Sequence, residues 1–145
     1  MRYETDADLV REKAAESRIN SSLGWFCMKL GEAKYRVDWG LYDNSTLVGW
    51  GEFKFRNIAK DRFPTLLLSA DKWLRLLDLG ESSCLTSYMF VQWADSDLHY
   101  VTVNKETNIK VEYTHGGNYA RNNPGDIEPV VHIPINLFQP VERIK

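Results

Sequence analysis

The sequence predicts a single α/β domain with a central mixed sheet flanked by helices. Three observations lead to this prediction. Residues 35–42 and 46–56 alternate like strands around a turn too short for a crossover, so they are expected to form an antiparallel hairpin. Segments with the start and stop signals of helices lie on both sides of this hairpin. Two more strand-like stretches, residues 87–93 and 99–103, follow the second of these helices.

The first predicted helix begins at Thr5 and Asp6, because Thr is a favoured N-cap residue and Asp8 adds negative charge to the first turn. Gly24 is expected to end it. Its predicted apolar positions follow approximate helical spacing and are Leu9, Val10, Ala14 and Ile19. A short strand over residues 25–30 then leads to the hairpin.

The second predicted helix follows Pro64 and a brief extended stretch at residues 66–68. Ser69 is expected to cap this helix, which is predicted to reach about Leu79, with Gly80 just beyond its end. Its apolar side is formed by Trp73, Leu76 and Leu77.

The pattern after residue 104 is weaker and predicts a C-terminal β extension. Residues 108–113 and 130–135 are expected to be strands, and residues 114–126, which are rich in Gly and Asn, are expected to be a loop. We therefore predict one domain over residues 1–145, with a core over about 8–103 and an extension over about 104–145.

Composition is that of a soluble globular protein. The chain has 145 residues, of which 43% are hydrophobic and 26% charged, and its mean hydropathy is -0.40. No apolar run has the roughly 18 residues of a membrane helix, and the charged first residues do not form a signal peptide. We expect a cytoplasmic protein with no membrane partner, in which Cys27 and Cys84 are reduced and buried.

Basic residues are concentrated in one part of an otherwise slightly acidic chain. The net charge is -2, which argues against bulk coating of nucleic acid but leaves local contacts open. Residues 54–75 contain two acidic residues against six basic ones, namely Lys54, Arg56, Lys60, Arg62, Lys72 and Arg75. This segment is either a solvated face or a surface for phosphates.

Three charged residues lie inside the predicted hairpin, where apolar residues surround them. Because strand side chains alternate between faces, Glu52 and Lys54 must point the same way. If Tyr42 pairs near Thr46, Asp38 falls close to Trp50 or Glu52. Two carboxylates and an ammonium group are thus expected to converge on one patch.

Two carboxylates that lie so close repel each other unless a positive charge separates them. A hard divalent cation with oxygen ligands, Mg²⁺ or Mn²⁺, is the natural candidate, and Asp38 and Glu52 are its predicted ligands. Such a metal can activate a water molecule and stabilise charge on a phosphate, and Lys54 can orient the water or contact the phosphate. The pattern therefore predicts hydrolysis of a phosphodiester.

This arrangement resembles the PD-(D/E)XK nuclease superfamily and its restriction-endonuclease-like αβββαβ core. Asp38 matches the first acidic residue of the motif, and Glu52-Phe53-Lys54 matches its E-x-K tripeptide. Val37 replaces the proline that precedes the aspartate in many members. The overall pattern is most similar to small phage and archaeal members, such as Holliday junction resolvases and VRR-NUC-type nucleases.

The resemblance implies a metal-dependent endonuclease that acts on DNA, with branched or repair intermediates among its substrates, and a homodimer as its assembly. It implies a catalytic glutamate from the first helix, for which Glu12 is preferred over Glu16 because of its distance from Gly24. It also implies a polar residue from the second helix, for which Lys72 is the candidate. The expected phosphate contacts are Lys60, Arg62, Lys72 and Arg75.

Two alternatives remain open from the sequence. One is a catalytically silent nucleic-acid-binding or assembly protein that keeps the nuclease fold. The other is a small interaction module in which Glu52 and Lys54 form an ordinary polar strand face. Trp50 shares that face and is a candidate for base stacking, whereas the other four tryptophans are expected in the core. No nucleotide-binding glycine motif or zinc spacing is present.

Overall fold

The structure, a computed structural model, describes residues 5–31, 37–115 and 127–144. Two helices, nine strands and two short 3₁₀ helices occur in these ranges. In chain order they are α1 (Asp6–Leu23), β1 (Trp25–Lys29), β2 (Trp39–Asp43), β3 (Thr46–Arg56), β4 (Thr65–Ser69), α2 (Ala70–Ser83), β5 (Thr86–Trp93), β6 (His99–Val103), β7 (Lys110–His115), β8 (Ile127–Pro134), the 3₁₀ helix Ile135–Leu137, β9 (Gln139–Pro140) and the 3₁₀ helix Val141–Arg143.

Six strands form a mixed central sheet in the order β1-β2-β3-β5-β6-β9. Strands β3 and β5 are parallel, and the other neighbours are antiparallel. A parallel pair needs a crossover connection, and here β4 and α2 lie between the two strands. The predicted α/β class, with its αβββαβ order around a mixed sheet, is confirmed. Within the described ranges, neither helix has the length and apolar character needed to cross a membrane.

The helices cover opposite faces of this sheet, and each face has its own core. On the α1 face, Ile19 packs with Trp39 and Phe90. On the α2 face, Leu76 packs with Met89 and Val91. Burial on both faces explains why β5 is a nearly continuous apolar run rather than an alternating strand.

A second sheet, in the order β4-β8-β7, lies beside α2. β8 pairs along the full length of β4, from Thr65 with Pro134 to Ser69 with Val130. The expected C-terminal β extension is therefore joined to the core through β4, and Val131 and Ile133 belong to the same cluster as Leu76. Residues 116–126, which include most of the predicted loop, lie outside the described residues.

The boundaries of α1 follow from its caps. Thr5 and Asp8 form a reciprocal capping box, and Gly24 closes the helix in the left-handed region with φ of 72°. Both predicted ends are confirmed, but the predicted apolar face is only partly right. Leu9 and Val10 are exposed, because the helix turns Ala15 and Ile19 toward the sheet instead.

The end of α2 differs from the prediction. The helix continues through Gly80 to Ser83, and Cys84 ends it in the left-handed region with φ of 60°. A Cβ at Gly80 would lie 3.0 Å from the Ser87 hydroxyl, so close packing rather than helix termination explains this glycine. Cys84 is exposed, which makes its predicted burial wrong, whereas Cys27 is buried as expected. Ser69 occupies the N-cap position without a side-chain capping hydrogen bond.

Candidate active site

A β-bulge sets the register of the hairpin that carries the charged residues. Tyr42 pairs with Leu47 and Leu41 pairs with Gly49, so Val48 is an extra residue on β3. A bulge of this kind shifts every later pair by one residue and re-aims the side chains that follow. Bulges are frequent next to active sites for this reason.

Beyond the bulge, the pairing places Asp38 beside Glu52. Trp39 pairs with Gly51, and Asp38 immediately precedes Trp39. Without the extra residue, Asp38 would lie opposite Gly51. The side chains of Asp38 and Glu52 would then point to opposite faces of the sheet. The sequence predicted that Asp38 lies close to Trp50 or Glu52, and in the structure it lies beside Glu52.

Reciprocal hydrogen bonds hold the two carboxylates together. The backbone N–H of Phe53 donates to Oδ2 of Asp38 at 2.8 Å, and the backbone N–H of Asp38 donates to Oε1 of Glu52 at 3.2 Å. Leu30 adds a backbone hydrogen bond to the carbonyl of Asp38 at 2.9 Å. Asp38 is only 1% exposed and Glu52 only 6% exposed. The pair is therefore fixed by the backbone and largely shielded from solvent.

Two lysines lie next to this pair on the α2 face of the sheet. Nζ of Lys72, from the first turn of α2, is 3.4 Å from Oε2 of Glu52. Lys54 follows Glu52 along β3 and is partly buried. Burial, followed by the charge of Arg56, lowers the pKa of Lys54 from 10.5 to about 8, while Glu52 acts in the opposite direction. Carboxylates and ammonium groups thus alternate on one patch.

The two candidate glutamates of α1 lie around another lysine. Oε2 of the buried Glu12 is 2.6 Å from Nζ of Lys29 in β1. Burial raises the pKa of Glu16, and the charge of Glu12 adds to that effect. In the described parts of the chain, no three His, Cys, Asp or Glu side chains are grouped so that they could hold a metal. The participation of Glu12 or Glu16 in the site stays a prediction.

The remaining predicted basic residues differ in their surroundings. Arg62 is exposed, and its guanidinium carbon lies 5.5 Å from the ring centroid of Phe63. The backbone of Lys60 donates to the Asp95 carboxylate at 2.9 Å. Arg75 is half-buried on α2. Only Lys72 of this group forms an ion pair with the candidate site in the described structure.

Trp50 is not available as a surface for base stacking. It is 9% exposed, and its indole N–H donates to the Ser83 hydroxyl of α2 at 2.9 Å. Its position on the face of Glu52 therefore serves packing between β3 and α2. The other four tryptophans are buried as expected, and they are Trp25, Trp39, Trp73 and Trp93.

Sequence reasoning missed two residues on β8 that lie near Lys54. The charge of Glu128 acts on the pKa of Lys54, and His132, four residues further along the same face of β8, lines the same cleft as Lys54. Nδ1 of His132 lies 3.0 Å from the Thr65 hydroxyl, and its Nε2 lies 2.7 Å from the Glu112 carboxylate. Alternation of Glu128, Val130 and His132 was visible in the sequence, but the pairing of β8 with β4 was not.

Comparison with known proteins agrees with this architecture. No curated protein sequence matches the chain significantly. Among solved structures, the chain is similar to Hjc, a Holliday junction resolvase from the archaeal hyperthermophile Archaeoglobus fulgidus. The TM-score is 0.57 at 15% sequence identity, over 96% of this chain and 98% of the other, which shows a common fold. The family model described as "Phage putative PDDEXK endonuclease" matches residues 1–141, and the chain therefore belongs to this endonuclease family.

Proposed function

We propose that this protein is a divalent-metal-dependent nuclease that hydrolyses phosphodiester bonds in DNA. The observation that carries the proposal is the pair of buried carboxylates, Asp38 and Glu52, which backbone hydrogen bonds hold side by side. Lys54 on the same strand supplies the third residue of the motif. Membership of an endonuclease family supports the reaction class.

The chemistry of the donor set fits a hard divalent cation. Mg²⁺ and Mn²⁺ prefer oxygen ligands, and Mg²⁺ is commonly held by one or two carboxylates together with waters and substrate phosphates. Asp38 and Glu52 would hold the metal. A bound metal would activate water and stabilise negative charge on the phosphate. The ammonium group of Lys72 beside Glu52 shows that this position accommodates a positive charge.

The chain's own residues perform the remaining tasks. The N–H groups of Asp38 and Phe53 orient the two carboxylates, so the site is arranged before substrate binds. Lys54 would contact the phosphate or orient the attacking water. Lys72 can contribute a second cation to the same phosphate, and charges in a partly buried setting act more strongly than charges in water.

DNA is the proposed substrate, and branched DNA is included in the test because the similar archaeal structure is that of a Holliday junction resolvase. The assay compares four-way, linear duplex and single-stranded DNA with Mg²⁺, with Mn²⁺ and with EDTA. We expect cleavage with either metal and none with EDTA. Glu52→Gln should lower the cleavage rate at least about 100-fold while DNA binding persists, because a charge-bearing metal ligand is lost.

Glu106→Gln is the matched control, because Glu106 is an exposed glutamate outside the site, and it should cut like the parent. Cleavage by Glu52→Gln at the parental rate would remove Glu52 from the mechanism. A parent protein that binds these DNAs but cuts none of them with either metal would instead support the catalytically silent binding protein.

A further inference from the structure

A cleft of about 750 Å³ begins at Lys54 and extends away from the carboxylate pair. Its lining comes from the end of β3, from β4 and β8, and from the segment that joins β3 to β4. Clefts of this size enclose ligands of roughly drug or nucleotide dimensions. A base-paired duplex cannot enter such a space, whereas one nucleotide can.

The charges in the cleft favour an anion. Lys54, Arg56 and Lys60 line it, against one carboxylate, that of Glu128. Nη2 of Arg56 donates to the backbone carbonyl of Leu67 at 2.7 Å. A guanidinium group carries five N–H donors, so Arg56, which lines the cleft with two lysines, keeps donors for a phosphate oxygen.

The other part of the cleft is apolar and aromatic. Phe63 and Ile58 both line the cleft, and they are 52% and 38% exposed. The ring of the buried Trp93 forms part of the lining, and Nζ of Lys60 lies 5.7 Å from its centroid. Exposed aromatic rings beside phosphate-binding cations are the usual surface for unpaired bases.

We propose that this cleft binds one unpaired nucleotide of the DNA strand that is cut at Asp38 and Glu52. The base stacks on Phe63, and its phosphate faces Arg56 and Lys60. The inference rests on the proposed function and narrows its substrate class to DNA with unpaired nucleotides beside the cut.

Lys54 connects the two sites. It lines the cleft and also lies next to Glu52, and the charges of Glu52 and Glu128 both act on it. Alternate residues of a strand are about 6.6 Å apart, so Glu52, Lys54 and Arg56 form a row that a single DNA strand can follow. The bound nucleotide would then be a close neighbour of the scissile phosphate.

The test uses 2-aminopurine as a fluorescent base in two otherwise identical DNAs. In one the base is paired within a duplex, and in the other it lies unpaired in a short gap. Binding is measured in Ca²⁺, and cleavage of both DNAs is then measured in Mg²⁺. We expect the parent to quench the unpaired base by stacking and to bind the gapped DNA about tenfold more tightly than the duplex.

Phe63→Ala should abolish the quenching and most of the preference for gapped DNA, while its affinity for the paired duplex stays within about twofold. Phe26→Ala is the matched control, because Phe26 is 59% exposed on β1 and does not line the cleft. It should behave like the parent. Melting curves of both variants show whether either change affects the fold.

Different results overturn different claims. A parent that cuts DNA but treats paired and gapped DNA alike would overturn the cleft assignment and leave the nuclease proposal intact. A Phe63→Ala variant whose affinity falls equally for gapped and duplex DNA would lead to the same conclusion. Binding of free deoxynucleoside monophosphate as tightly as gapped DNA would also overturn the assignment to a DNA strand. A parent that neither binds nor cuts any DNA would overturn the proposed function, and this inference with it.

Discussion

At the scale of single residues, the extra residue Val48 decides whether Asp38 lies opposite Glu52 or opposite Gly51. The sequence predicted that Glu52 and Lys54 share a face and that Asp38 approaches them, because alternation along a strand is a local property. It did not predict the bulge, since the register expected from the turn paired Tyr42 with Thr46, whereas Tyr42 pairs with Leu47. The final contact between Asp38 and Glu52 depends on this local irregularity, for which the chain has no clear signal.

Lys54 is expected to reduce the stability of the metal-free protein at neutral pH. Burial lowers its pKa to about 8 from 10.5, so between these values the unfolded state binds more protons than the folded state. The cost is full below about pH 8 and disappears as the pH rises toward 10.5. In EDTA at pH 7, Lys54→Met should raise the free energy of unfolding by on the order of 2 kcal/mol, since one pKa unit corresponds to about 1.4 kcal/mol.

The measurement is denaturant unfolding at pH 7 and at pH 10.5. The increase in the free energy of unfolding of Lys54→Met relative to the parent should be much smaller at pH 10.5 than at pH 7. Lys105→Met is the control, because the side chain of Lys105 is 73% exposed and its change should have little effect at either pH. A gain that is equal at both pH values would show that lost packing or polarity, rather than a buried charge, controls the effect.

At the scale of secondary-structure elements, the parallel pair of β3 and β5 supports the site. A Cβ at Gly49 would lie 2.5 Å from the backbone carbonyl oxygen of Thr86, where this pair begins. Gly49→Ala should therefore lower the free energy of unfolding by about 2 kcal/mol or more, because a backbone atom cannot move aside as a side chain can. Thermal and denaturant unfolding measure the change.

Gly31→Ala provides the comparison, because a Cβ at Gly31 would meet nothing within 4 Å. It should change stability by less than about 0.5 kcal/mol. Equal effects of the two substitutions would mean that the close approach of β3 to β5 does not constrain position 49.

The elements themselves were predictable to different degrees. The ends of α1 and the full span of β3 follow from caps, turns and alternation, which are local signals. The prediction ended α2 too early, because a glycine often follows the last residue of a helix. Gly80 instead lies within α2, where it allows close packing against Ser87. The pairing of β4 with β8 joins residues more than sixty positions apart, and no local pattern encodes it.

At the scale of the whole molecule, the basic segment is expected to guide DNA toward the site. If Lys60 and Arg62 contact phosphates, each contact releases counterions when DNA binds. A plot of the logarithm of the binding constant against the logarithm of the salt concentration then has a negative slope, to which each contact on duplex DNA adds about 0.9. Neutralising both residues should reduce that slope by up to about 2 and weaken all sequences alike. Salt titrations in Ca²⁺ measure both effects.

Lys13 and Lys105 form the control pair, because both side chains are exposed and neither belongs to the basic segment, residues 54–75. Neutralising them should leave the slope close to that of the parent. If the Lys60 and Arg62 variant keeps the parental slope and melting point, these residues form a solvated face, and the path of DNA must follow other cations.

The most direct test of the central claim is a calorimetric titration of Mn²⁺ into the parent and into Asp38→Asn, Glu52→Gln and Glu106→Gln. If Asp38 and Glu52 hold one metal together, the parent and the exposed-site control Glu106→Gln should bind Mn²⁺ with the same affinity. Each of the other two variants should bind at least about tenfold more weakly. Parental affinity in both Asp38→Asn and Glu52→Gln would contradict the claim that this carboxylate pair is a metal site.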